Sequence, residues 1–235
     1  MNFIFDLDDT LYDQTEPFQR AYRSLWQERY PIEDIEALYR RSRVYNDAIF
    51  LRMMAGEVTM EDAGAYRIQK AMEDFHYAVS WDEALCFQDT YSQNLYDLHL
   101  SEAIMDMLSY CREHHILTAI LSNGVSAHQH KKLDGMHMER WIPKERQFVS
   151  GDIGFSKPDQ KAFDYVRDQL GLDINETYYV GDSAEPDIRG PLDAGWKCIW
   201  YDHRGRQLAE DLHPDYIVHS EAEMGELIKE LTKKP

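Results

Sequence analysis

The sequence predicts an α/β fold, a doubly wound parallel sheet interrupted by an inserted block of helices. Three observations carry this. Short apolar runs bounded by Asp, Ser, Asn or Gly recur along the chain, and helical patterns with start and stop signals lie between most of them. One long stretch, from about residue 15 to residue 87, shows helical patterns only.

The apolar runs are residues 3–5, 116–121, 178–180, 198–201 and 216–218. Each is too short for a helix and continuous enough for a strand buried on both faces. Ser101 opens a helix that runs to His114. Pro158 and Asp159 lead into another that Gly171 closes, and Ser220 with Glu223 forms a capping box ahead of Leu227, Ile228 and Leu231. Strands alternating with helices give a parallel sheet covered on both sides. Within the helical stretch, amphipathic runs cover residues 17–30, 32–54, 60–76 and 81 onward. Thr59 starts the third, a Ser80/Glu83 box starts the fourth, and Gly56 and the Val79–Ser80 junction make turns. The expected organisation is therefore an α/β core of residues 1–14 and 88–235, with a helical cap of residues 15–87 inserted after the first strand.

Composition excludes several classes of function. The 235 residues are 43 % hydrophobic and 12 % aromatic, enough to fill a core. Twenty-five Lys and Arg stand against 43 Asp and Glu, a formal net charge of −18, which repels nucleic-acid polymers. No apolar run approaches the ~18 residues that span a bilayer, and no basic segment precedes the apolar Phe3-Ile4-Phe5, so neither a membrane anchor nor a signal peptide is expected. Cys86, Cys111 and Cys198 are too few and scattered for a disulfide framework or a zinc site. A reduced, cytoplasmic protein is the expectation.

The chemistry gathers at strand ends, where open α/β sheets bind ligands. Phe5-Asp6-Leu7-Asp8-Asp9-Thr10 sets three carboxylates just past the first strand. Asp6 and Asp8 are two apart, so a straight strand would point them the same way. Clustered like charges call for a cation, and all-oxygen ligands suggest Mg²⁺; a solvated acidic turn is the plainer alternative. Ser122-Asn123-Gly124 follows the second strand and suits an anionic oxygen held by side chain and backbone N–H, although a Ser/Asn turn capping a helix reads the same way. Lys157, before Pro158, supplies a fixed ammonium, though most lysines face solvent. Gly181-Asp182, with Asp187 further on, puts two more carboxylates after a strand, and Gly181 allows a tight turn there.

Four strand-end motifs in this order resemble the haloacid dehalogenase (HAD) superfamily, whose members are mostly phosphatases. Its Asp-x-Asp-x-Thr motif matches Asp6–Thr10, its Ser/Thr matches Ser122, its Lys matches Lys157, and its Gly-Asp with a second Asp matches Gly181, Asp182 and Asp187. The helical block falls between the first and second motifs, as in the subfamily with a C1 cap that closes over small substrates. The resemblance implies a Rossmann-like core and a hydrolase that cleaves a small phosphorylated metabolite. Asp6 would attack phosphorus, Asp8 would act as acid and base, and Ser122 and Lys157, assisted by Asn123 and Gly124, would neutralise the phosphoryl oxygens. Mg²⁺ would be held by Asp6, the backbone carbonyl of Asp8, and Asp182, with Asp187 a further ligand or the partner of a bound water.

Dehalogenases of the superfamily lack a carboxylate at the position of Asp8, which favours phosphoryl transfer here. Residues 181–188, Ala194-Gly195 and His203-Arg204 are similar to the pyrimidine 5′-nucleotidase branch, which ranks nucleoside monophosphates first. A sugar or glycolate phosphatase, a phosphosugar mutase and an inactive regulatory protein on the same fold are the alternatives. Tyr12 is expected to line the pocket or to pack. In the cap, Arg40, Arg41 and Arg43, with Tyr45 and Asn46, are candidates for substrate contact, Arg43 foremost, against the reading of a solvated helix face.

Overall fold

The computed structural model describes residues 1–54 and 56–233, and the side chain of Asn46 lies outside the described residues. The chain forms two compact units, Met1–Asp13 with His99–Pro235, and Gln14–Leu98.

The first unit is built on a parallel sheet of β1 (Asn2–Phe5), β2 (Leu117–Ser122), β3 (Gln147–Val149), β4 (Thr177–Gly181), β5 (Lys197–Tyr201) and β6 (Tyr216–Val218), in the order β3-β2-β1-β4-β5-β6. Strands β1, β2 and β4 are buried along nearly their whole length, as continuous apolar runs covered on both faces must be. One layer gathers Ile4, Leu121, Phe163, Val166, Tyr179 and Trp196 into a single core. β3 was not legible in the sequence: it is three residues long and opens on a glutamine. The chain winds outward from β1 through β2 to β3, then returns to β4 on the other side of β1. The crevice between β1 and β4 is thus the place where such sheets bind ligands. Phe5 pairs with Ile120 and with Val180, so Asp6, Ser122 and Asp182 emerge together at one edge.

The helices of this unit start and stop as their caps dictate. Ser101 accepts from Ile104 N–H at the head of α5 (Glu102–Glu113), and α8 (Gln160–Leu170) begins at Asp159 and ends at Gly171, whose φ of 62° a side chain would resist. At α10 (Glu221–Lys233), Ser220 accepts from Glu223 N–H, but the Glu223 carboxylate takes the His219 amide (2.8 Å) in place of the Ser220 amide. The capping box expected there is half formed. The remaining helices are α6 (Ser126–Gly135), α7 (Ser150–Ile153) and α9 (Gly190–Asp193).

The second unit contains α1 (Thr15–Leu25), α2 (Ile35–Met54), α3 (Met60–Asp74) and α4 (Trp81–Leu95). Thr59 caps α3, and Ser80 with Glu83 makes a complete capping box on α4. α1 stops five residues before the expected end: Trp26 leaves the helical region at φ −129°, and the N–H groups of Trp26 and Gln27 both donate to Tyr22 O (2.8 and 3.1 Å). The Tyr22 hydroxyl then ties that turn by donating to Tyr30 O and accepting from Ile32 N–H. Aromatic packing fills the centre. Phe18 meets Tyr39, Phe87 and Tyr91 at ring distances of 5.3, 5.0 and 5.7 Å, and Trp26 stacks on Phe87 at 4.4 Å. This packing corrects the expected boundary at residue 87, which falls inside α4; Phe87 and Tyr91 bury against Phe18, so the unit continues to Leu98.

Candidate active site

The strand-end residues gather at one edge of the sheet in two groups, one around Asp6 and Lys157 and one around Asp8 and Lys132. The backbone of Asp6 still pairs with β4, its N–H donating to Val180 O (2.8 Å). The chain then leaves the sheet, with Leu11 N–H closing a turn onto Leu7 O (3.0 Å) and Asp9 in the left-handed region at φ 60°. Asp6 and Asp8 therefore do not share one set of partners, as a straight strand would have required. Asp6 meets Lys157, and Asp8 meets Lys132.

Lys157 Nζ is buried and donates to Asp6 Oδ1 (2.7 Å), Asp187 Oδ1 (2.6 Å) and the Tyr179 hydroxyl (2.5 Å). Tyr179 in turn donates to Leu121 O (2.9 Å). Burial opposes the charge of Lys157, but Asp187 and Asp6 more than offset it and raise its pKa. Asn123 fixes the main chain of this residue from both sides: Nδ2 donates to Lys157 O (2.7 Å), and Oδ1 accepts from Lys157 N–H (2.9 Å). The amide expected to assist a phosphoryl group is thus committed to holding Lys157 in place.

Asp6, Asp182 and Asp187 bring carboxylate oxygens within 4.8 Å of one another, and all three are buried. Burial first, and then Asp187, Asp8 and Asp182, raise the pKa of Asp6 well above the carboxylate range, although Lys157 pulls the other way. Asp182 is pushed up to about 7 by burial and by Asp187, against the pull of Arg206. Arg206 donates to the Asp182 carboxylate and to its carbonyl (3.1 Å). Such a set is short of positive charge and offers only hard oxygen donors, so it fits a divalent cation. The Asp8 carboxylate is not among its members.

Asp187 is seated by its neighbour. Its Oδ2 accepts from Ser183 N–H (3.0 Å), and a Cβ on Gly181 would stand 2.5 Å from Asp187 Cβ. The glycine serves close approach here, and a turn with positive φ is not what it provides. Gly124 serves in a similar way: its N–H is taken by Ser150 Oγ (2.9 Å), and a Cβ would lie 2.8 Å from Gln129 Cγ. The amide expected to cradle an anion is turned to Ser150.

On the other side, Asp8 Oδ1 accepts from Lys132 Nζ (2.5 Å) and from the Tyr12 hydroxyl, and Oδ2 accepts from Gln129 Nε2 (2.9 Å). Burial alone would raise this carboxyl, but Lys132 and the two hydrogen bonds hold it well below the usual range. Ser122 Oγ accepts from the same Gln129 nitrogen (2.6 Å). Tyr12 is thus a partner of Asp8. Arg43 stands exposed on α2 of the helical unit.

Sequence reasoning missed Gln129, Lys132, Tyr179 and Arg206. Gln129 and Lys132 left a faint signal, being polar residues three apart on a helix that directly follows Ser122-Asn123-Gly124. Tyr179 sits next to Tyr178 on a strand whose side chains alternate, and one of the two had to face inward; nothing nearby marks Arg206. His203, Asp9 and Asp182 form a second set of ion-sized spacing. Arg204 already pairs with Asp9 (2.7 Å) and Arg206 with Asp182, which supply its counter-charge.

Residues 1–195 match the family described as haloacid dehalogenase-like hydrolase. Over 225 residues the chain is 27 % identical to HAD-hydrolase YfnB of Bacillus subtilis, covering 94 % of this chain and 92 % of that one. It is 33 % identical to pyrimidine 5′-nucleotidase YjjG of Escherichia coli over 110 residues, 46 % of this chain and 48 % of the other. Among solved structures, magnesium-bound YfnB matches over 97 % of each chain with a TM-score of 0.71 at 23 % identity. A dehalogenase in an intermediate complex matches over 96 % of each with a TM-score of 0.75 at 18 % identity. Both structural likenesses are of fold. No described helix is long and apolar enough to cross a membrane.

Proposed function

The chain belongs to the haloacid dehalogenase-like hydrolases, and on that premise we propose that it is a Mg²⁺-dependent phosphatase of small phosphate monoesters. The observation that carries this reading is the pair of differently served carboxylates: Asp6 in an ion-seeking cluster and Asp8 beside it with a cation of its own. Displacing a halide needs no proton donor, and Asp8 would then have no task; expelling an alkoxide from phosphorus needs one.

Asp6 Oδ attacks phosphorus, the ester P–O bond breaks, and an aspartyl-phosphate forms. Asp8 passes a proton to the departing oxygen. Because Lys132 keeps Asp8 ionised in the free site, that proton arrives with the substrate as its monoanion, the second ionisation of a phosphate monoester lying near pH 6. Asp8 next takes a proton from water, which attacks the acyl phosphate and restores the Asp6 carboxylate; Asp8 then passes that proton to the departing inorganic phosphate, which leaves as the monoanion, and is itself ionised again. Ser122 and Lys157 balance the charge on the transferring oxygens. Asp6, Asp182 and Asp187, with the Asp8 carbonyl, would hold Mg²⁺, which when bound supplies positive charge for the anionic substrate. The helical unit acts as a cap, with Arg43 a candidate for substrate contact. The 33 % identity to a pyrimidine 5′-nucleotidase supports nucleoside 5′-monophosphates as the first class to try.

Phosphate release from a panel of UMP, dTMP, AMP, phosphoglycolate, glucose 1-phosphate and an aryl phosphate tests this, with Mg²⁺ and with EDTA. Release is expected with Mg²⁺ alone and is abolished in Asp6→Asn. An Asp6→Asn protein that retains wild-type turnover overturns the reading.

A further inference from the structure

Helix α6 (Ser126–Gly135) carries two polar residues that a ten-residue surface helix has no structural need to bury. Gln129 is 1 % exposed and Lys132 is 3 % exposed. Three residues apart, they lie on one face of the helix, and both turn to the same carboxylate. Lys132 Nζ reaches Asp8 Oδ1 at 2.5 Å and the Tyr12 hydroxyl at 3.4 Å. Gln129 Nε2 reaches Asp8 Oδ2 at 2.9 Å, Ser122 Oγ at 2.6 Å and Asn123 O at 3.2 Å. A carboxylate and a carbonyl accept hydrogen bonds only, so the amide must present nitrogen to them, and Ser122 Oγ on the same nitrogen becomes an acceptor. The hydroxyl proton of Ser122 is thereby directed away from Gln129. The Asp8 side chain keeps 21 % exposure while the lysine that grips it has 4 %. A bare Gly124 makes the approach possible, since a Cβ there would stand 2.8 Å from Gln129 Cγ and 3.0 Å from Cδ. Burying an ammonium and an amide where apolar side chains would pack carries a cost, and the contacts they make are all to the site.

We propose that Gln129 and Lys132 are positioning residues of the active site: Lys132 fixes the orientation of the Asp8 carboxylate, and Gln129 ties that carboxylate to the Ser122 hydroxyl, so that one helix face holds the proton-transfer group in register with the phosphoryl site. This rests on the phosphatase reading above, in which Asp8 handles the proton of the leaving oxygen. Loss of either residue then slows proton transfer to the leaving group without weakening the grip on phosphate.

The test uses the full chain with Mg²⁺ and two substrates, p-nitrophenyl phosphate, whose leaving group departs unprotonated, and an alkyl monoester, whose leaving oxygen needs a proton. Lys132→Met and Gln129→Leu are each expected to lower kcat/KM for the alkyl ester about tenfold more than for the aryl ester. The inhibition constant of inorganic phosphate should stay within about threefold of wild type, and Lys132→Arg should recover part of the alkyl activity. In an Asp8→Asn background, adding Lys132→Met should change turnover less than about twofold, because the group it positions is already gone. Equal losses on both substrates, or a full additional loss in the Asp8→Asn background, overturn the positioning roles while wild-type turnover leaves the phosphatase reading standing. A wild-type protein inert toward every monoester overturns the phosphatase reading and this proposal with it. Gln129→Leu removes no charge and carries the same comparison should Lys132→Met fail to fold.

Discussion

Two Asp–Lys pairs stand two residues apart in the first motif and behave in opposite ways. Asp6 with Lys157 and Asp8 with Lys132 are both ion pairs within 2.7 Å, and burial works against the charge of both carboxylates. What differs is the ratio of charges. Lys157 is shared between Asp6 and Asp187, with Asp182 alongside on Arg206, so three carboxylates face two cations and, with burial, the Asp6 carboxyl is raised. Lys132 serves Asp8 with help from Tyr12 and Gln129, and that carboxyl is lowered. Burial does not decide the sign of the shift; the count of local charges does. The same count makes one side of the motif seek a cation and leaves the other without need of one.

The largest test of this contrast removes each lysine. Lys157→Met leaves buried carboxylates unpaired and is expected to cost about 3–5 kcal/mol in the metal-free protein. Lys132→Met strands only the partly exposed Asp8 and should cost about 1–3 kcal/mol. Urea midpoints measure both, and added Mg²⁺ should narrow the gap by replacing the charge lost from Lys157. Equal costs would break the comparison.

A smaller effect follows from pH. Asp182 has a folded pKa pushed up to about 7, above its unfolded value near 4. The folded state thus binds the extra proton, so this contribution to stability is full below about pH 4 and is lost as pH rises through 7. The loss is on the order of 2–4 kcal/mol at about 1.4 kcal/mol per unit. Melting of the EDTA-treated protein should therefore fall between pH 5 and pH 8, Mg²⁺ should flatten the fall, and Asp182→Asn should lessen it, the raised Asp6 carboxyl supplying the remainder in the same direction. A flat profile for the metal-free wild type would contradict the charge count.

The smallest test separates the two glycines. Gly181→Ala forces a Cβ to 2.5 Å from Asp187 and Gly124→Ala forces one to 2.8 Å from Gln129, each costing about 1–3 kcal/mol. Their further effects should diverge: Gly181→Ala weakens stabilisation by Mg²⁺ in a thermal-shift titration, whereas Gly124→Ala leaves that intact and slows turnover. Identical behaviour would mean that the two sides of the motif are not independent.

Much of the fold was legible because it is local. The runs that became β1, β2, β4, β5 and β6 are apolar between turn residues, and Ser80, Ser101, Asp159 and Gly171 mark helix ends by chemistry that acts within a few residues. β3 escaped because it opens on Gln147 directly after the charged Glu145-Arg146, leaving only Phe148 and Val149 as an apolar run. The half-formed box at Ser220 escaped because Glu223 had two amides within reach and the sequence does not rank them. The end of the helical unit at Leu98 depended on Phe87 and Tyr91 finding Phe18 some seventy residues away.

The same division runs through the site. By itself the sequence determined that Asp6, Ser122, Lys157 and Asp182 sit at the ends or flanks of parallel elements, since a strand's end is written in its own neighbours. Only the tertiary structure decided what each does there: that Lys157 is shared with Asp187, that Asn123 holds Lys157 by its backbone, that Gly124 makes room for Gln129, and that Asp8 has its own lysine. Those partners lie up to 151 residues apart along the chain, as Lys157 does from Asp6. An ion pair depends on distance in space, and that distance is set by the winding of the sheet, which no short stretch of sequence contains.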